Sequence, residues 1–129
     1  MTKTKCYAIT SFDQINEIIK NRKNNKKITI IYLKYSIIDG FGIDWLETLL
    51  KIYKSKSRNN FIRFYIDCNN NFGLSIMIMK KGIDYIKLKS NPIILNKVNQ
   101  IARKNKVVLN PNFDVVDLSK NKNINKEFN

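Results

Sequence analysis

The chain alternates between two hydrophobic periods along most of its length. Cys6-Tyr7-Ala8-Ile9 is a short apolar run that predicts a first strand. Thr10 or Ser11 then stands where a helix cap is wanted, and Phe12, Ile15, Ile18 and Ile19 follow on one helical face. Polar residues 20–27 end that helix. Ile28 to Leu33 is β-branched and almost unbroken in its apolarity, which predicts a strand inside a sheet covered on both faces. Residues 36–42 hold an aspartate and two glycines and read as a loop leading into a helix marked by Ile43, Leu46, Leu49, Leu50 and Tyr53, with Trp45 on its flank.

Phe61 to Cys68 predicts a third strand, Asn69-Asn70-Asn71 a loop or cap, and residues 72–81 a short helix stopped by Gly82 in a left-handed conformation. Asp84 to Lys89 alternates apolar and basic side chains, as a half-exposed strand near an edge does. Asn91-Pro92 opens a last helix striped by Ile94, Leu95, Val98, Ile101 and Ala102. Val107-Val108-Leu109 is a final strand, stopped by Asn110-Pro111. From Asp117 onward the chain is rich in Lys and Asn and reads as a disordered tail. Strict alternation predicts one α/β domain over residues 1–116, with a mainly parallel central sheet of about five strands, right-handed crossovers and helices sandwiching the sheet.

Composition sets limits on this picture. A chain of 129 residues with 43% hydrophobic content can bury one core. No apolar run approaches the roughly 20 residues of a membrane span, and Met1 to Tyr7 has no signal-peptide character, so a cytoplasmic protein without membrane insertion is expected. Cys6 and Cys68 each sit in a strand-like apolar run and read as small core residues. The net charge of +14 suggests an acidic partner, either nucleic acid or an acidic surface, reached through lysines such as Lys20, Lys23, Lys26, Lys27, Lys54 and Lys56. Ile, Lys and Asn make up nearly half the chain, however, and all three have AT-rich codons. The charge then reflects an AT-rich bacterial genome. Only Arg22, Arg58, Arg63 and Arg103 offer the bidentate fork that specific nucleic-acid recognition favours.

The chain has no histidine, which removes the commonest general base and the Ser-His and Cys-His pairs. Neither a Walker loop nor GxGxxG is present, and Gly40-Phe41-Gly42 is only a GxG. No cofactor, metal or catalytic residue is assigned. In an open parallel sheet, ligands bind beyond the carboxyl ends of the strands. The loops there gather Ser36, Asp39, Gly40, Gly42, Ser90 and Asn91 with a possible ligand pocket of Asp67, Cys68, Asn69, Asn70 and Asn71. Structural roles compete for the same residues, with Asp39 and Asn71 as caps, both glycines as turn formers and Cys68 as packing. A small enzyme using Asp39, Asp67 and Cys68 is one alternative. Phe61, Phe64 and Tyr65 around Arg63 resemble the aromatic pattern of RNA-binding sheets, but helices are expected over both faces.

Over residues 27–86 an apolar strand leads into Ile37-Ile38-Asp39-Gly40-Phe41-Gly42-Ile43, then a long helix, a strand, a short helix, and Lys81-Gly82-Ile83 before the next strand. This stretch resembles the core of STAS domains, the anti-sigma factor antagonist fold. A flavodoxin-like arrangement is the neighbouring possibility. The family's phosphoacceptor serine falls on Gly40, so the resemblance implies partner docking without that phosphorylation switch. The expected function is a non-enzymatic protein-interaction module. Its partner, another protein or a second copy of the chain, would be bound through residues 36–53 by Ser36, Asp39, Gly40, Phe41, Gly42 and Trp45. Phe41 has no obvious place to bury within so short a loop.

Overall fold

The computed structural model describes residues 5–22, 28–56 and 61–118. The two periods of the sequence become β1 (Lys5–Ile9), α1 (Phe12–Arg22), β2 (Thr29–Leu33), α2 (Tyr35–Phe41), α3 (Ile43–Lys56), β3 (Ile62–Asp67), α4 (Phe72–Met79), β4 (Tyr85–Lys87), α5 (Pro92–Lys104), β5 (Val108–Leu109) and β6 (Val115–Asp117). Short polar caps set the helix starts. The Ser11 hydroxyl accepts from Gln14 N–H, the Asn71 amide oxygen from Leu74 N–H at 3.0 Å, and the Asn91 amide oxygen from Ile94 N–H at 2.9 Å. Gly82 has φ +79° after α4, the left-handed conformation expected of it.

All strand pairs are parallel, in the order β5-β4-β3-β2-β1-β6. The α/β class and the parallel sheet are as the alternation predicts, and Ile28 to Leu33 supplies β2, an interior strand with all five residues buried. From β1 to β5 the chain advances one strand at a time in a single direction. Right-handed crossovers then place every helix on the same face. The packing agrees. Ile15, Ile18, Ile38, Leu46, Leu49, Tyr53, Ile78, Met79, Val98 and Ala102 from all five helices share one core with Tyr7, Ile9, Ile31, Leu33, Phe64, Ile66 and Ile86.

The expectation of helices on both faces is therefore corrected. The second face carries Cys6, Ala8, Ile30, Tyr32, Tyr65 and Tyr85, and among the described residues no helix packs against it. Two-sided burial of β2 holds, but on this side neighbouring strands and Phe113 provide it.

A sixth strand, β6, follows the last strand the sequence predicts and runs one residue into the expected tail. Asp117 is its last residue and Leu118 is fully buried, so the fold runs through 118; the rest of the expected tail lies outside the described residues. β5 and β6 occupy opposite edges, joined only by residues 110–114. Five strand spacings of about 4.8 Å amount to about 24 Å, whereas six Cα steps reach about 20–22 Å. Residues 110–114 are thus a short strap between the two edges. Its return across the helix-free face keeps the right-handed sense, because direction and face are both reversed.

Candidate functional site

The parallel register stacks side chains of the helix-free face into rows across the strands. One row runs Asp117, Ala8, Tyr32, Tyr65, Tyr85, Val108 from β6 to β5. Its three tyrosines meet edge to face, with ring centroids 4.8 Å apart for Tyr32–Tyr65 and 6.2 Å for Tyr65–Tyr85. Toward the carboxyl ends the face turns polar, with Lys34 just after β2 and the register pair Asp67 and Lys87. Below, Arg63 donates to the Tyr85 hydroxyl at 2.9 Å.

Hydrogen bonds fix the carboxyl-end groups. Tyr32 donates to Asp67 Oδ2 at 2.7 Å, and Asp67 Oδ1 accepts from Asn69 N–H at 2.8 Å, an Asx turn that accounts for the left-handed Asn69. Burial and the Asp67 carboxylate both raise the Tyr32 phenol, and burial pushes Tyr65 up to about 12. Lys34 Nζ pairs with Asp117 Oδ2 at 2.7 Å, reaching over β1 where Ala8 offers no bulk.

Asn110 anchors the strap. It has φ +49°, and its side-chain amide extends the ladder by accepting from Leu88 N–H at 2.8 Å and donating to Leu88 O at 3.0 Å. The chain then turns back and lays Phe113 on Tyr85 and Tyr65, at centroid distances of 5.0 and 6.1 Å. A cavity of about 550 Å³ lies between strap and strands. Tyr65, Phe113, Lys34, Asp117, Lys87 and Lys89 are among its lining residues.

The second feature is the corner between α2 and α3. Residues 36–41 are corrected from loop to helix, while Gly42 makes a turn as expected. Buried Ile37 and Ile38 anchor α2 to the core, and Gly42 N–H closes it onto Ile38 O at 2.8 Å. Gly42, at φ +89° and ψ 175°, makes the turn into α3 in a conformation essentially reserved for glycine. Gly40 lies inside the helix, and Asp39 caps nothing there but is exposed with Ser36. Phe41 is 62% exposed and stacks on Trp45 at 5.1 Å, and Trp45 rests on Phe12 at 5.3 Å.

The sequence-derived pocket does not assemble as one site. Cys68 is fully buried on the helix side, whereas Asp67 engages Tyr32 on the other. Burial, with a smaller contribution from Asp67, pushes the Cys68 thiol up to about 12, so it is protonated at neutral pH. Asn71 and Asn91 cap α4 and α5, and Asn70 and Ser90 are exposed. Among the described residues no group of three His, Cys, Asp or Glu side chains is placed to hold a metal. Of the lysines considered for an acidic partner, Lys20 is exposed on α1, and Lys23, Lys26 and Lys27 lie outside the described residues.

The site residues missed by sequence reasoning are Tyr32, Lys34, Tyr85, Lys87, Lys89, Phe113 and Asp117. The signal for Tyr32, Lys34, Tyr85, Lys87 and Lys89 was their period-two spacing along β2 and β4 and just beyond them, whereas Phe113 and Asp117 carried none. No family model matches the chain, and no curated protein matches it. No described helix is long and apolar enough to cross a membrane.

Proposed function

We propose that the chain is a non-enzymatic, STAS-like protein-interaction module that docks a partner polypeptide on the α2–α3 corner. The observation that carries this reading is the exposed Phe41 ring, stacked on Trp45, which in turn packs against Phe12. Isolated exposed apolar side chains, such as Ile93 on α5, are ordinary. A ring held in place by a second and a third ring costs little entropy to bind and suits an interface anchor. The partner's contact surface is apolar with a basic rim. Tyr35 to Leu50 contains no Lys or Arg in a chain of +14, and Asp39 and Asp44 are exposed around the stack, while Glu47 is tied to Lys81. The motif likeness over residues 27–86 supports the same reading.

The test compares co-purification from the native host by wild type, Phe41→Ala, Asp39→Lys/Asp44→Lys and the control Met77→Ala. A protein partner should be lost from both corner variants and kept by the control. Phe41→Ala should hold its stability within about 1 kcal/mol, because an exposed ring contributes little to the core. Equal capture by all four proteins, or unfolding of Phe41→Ala, would sink the docking reading.

A further inference from the structure

We infer that the cavity under the strap binds a small phosphomonoester that also carries hydroxyl groups, the shared chemistry of sugar phosphates and nucleotides. This goes beyond partner docking and rests on different residues. The cavity opens at the carboxyl ends of parallel strands, where such sheets place ligands. At about 550 Å³ it has a volume typical of small-molecule sites and more than an inorganic ion needs.

Its charges are divided between two walls. On β4 and just beyond it, Lys87 and Lys89 have no ion-pair partner among the described residues. Alternate positions along an extended chain point the same way, so both ammonium groups belong to one wall and together suit a dianion. On the opposite wall Lys34 pairs with Asp117, and each side chain keeps 33% of its surface exposed. A partly exposed carboxylate beside an ammonium presents an acceptor and a donor towards hydroxyls, and an ion pair attracts a second phosphate less than a lone ammonium does. Between the walls, Ala8, Tyr65, Phe113 and Val115 form an apolar floor and roof for the body of the molecule. The strap, pinned by Asn110 to Leu88, fixes the roof before any ligand arrives.

Calorimetric titration of the full chain with ribose 5-phosphate, each of the four ribonucleoside 5′-monophosphates and inorganic phosphate tests this. At least one organic phosphate should bind with Kd below about 1 mM, and at least about tenfold tighter than inorganic phosphate. If ribose 5-phosphate matches the nucleotides, the sugar phosphate is the recognised unit; preference for one nucleotide assigns the base to the apolar floor. Lys87→Ala/Lys89→Ala should weaken binding about tenfold or more. Lys20→Ala/Lys104→Ala, which removes the same charge elsewhere, should leave it unchanged. Phe41→Ala should also leave it unchanged, which keeps this result separate from the docking reading. Absence of organic phosphate binding, equal affinity for inorganic phosphate, or equal loss in both lysine pairs would overturn the site.

Discussion

Cys6 and Cys68 sit on opposite sides of the sheet, and burial pushes both thiols from 9.0 up to about 12. Tyr65 rises to the same region. Each of these groups keeps its proton in the folded state at a pH where the unfolded chain releases it. Their contribution to folding stability is therefore complete below about pH 9 and is lost as pH rises from there toward 12. Denaturant midpoints at pH 7 and pH 10.5 should show the loss at the higher pH, and an unchanged or higher midpoint would contradict the burial assigned to these side chains. The sequence made the cysteines legible as core residues, because each lies in an apolar run. Their opposite orientation follows from strand phase, which residue type alone does not reveal.

At the scale of elements, α2 shows why local signals mislead. Asp39, Gly40 and Gly42 are loop formers by propensity, yet burial of Ile37 and Ile38 holds a helix over seven residues. Only Gly42 needs to be glycine. Gly42→Ala should cost roughly 1–3 kcal/mol through its φ of +89°. Gly40→Ala, in a helix with open space around the new Cβ, should be neutral or stabilise by about 0.5–1 kcal/mol. Thermal or urea unfolding of the two variants checks the pair, and equal effects would argue against the helix. The cap of α5 was readable from Asn91-Pro92 because its chemistry is local. β6 was not readable. Its three residues form a strand only because the edge of β1 stands ready to pair with them.

At the scale of the molecule, the alternation of periods was enough to give the α/β class and the parallel sheet, and the continuous run of β2 gave its interior place. What covers the second face was not legible, since an apolar run reports burial and is silent about the covering element. That silence hid the cavity as well. The RNA-type reading of the aromatic strand gains little from the helix-free face, because Tyr32, Tyr65 and Tyr85 are each at most 9% exposed and Phe113 packs against two of them, which leaves no open platform for successive bases of a strand. With a net charge of +14, DNA binding should be detectable near roughly 50 mM salt and largely lost by roughly 200 mM. Sequence-selective binding that survives physiological salt would instead promote the nucleic-acid reading.

The order of the strands also determines how the molecule comes apart. From β1 to β5 each strand pairs with its neighbour in sequence, whereas β6 must find β1 across the whole chain. Closing that distant pair costs the most loop entropy and secures only three residues. β6 should be the last strand to form and the first to leave. Native-state hydrogen exchange should therefore report lower opening free energies for the amides of β6 and its partner edge of β1 than for β2 and β3. The two thiols record the same event chemically. Cys6 lies directly opposite Val115 and becomes accessible when β6 detaches, while Cys68 stays sealed beneath the helices until the whole fold opens. Under native conditions a thiol reagent should modify Cys6 well before Cys68.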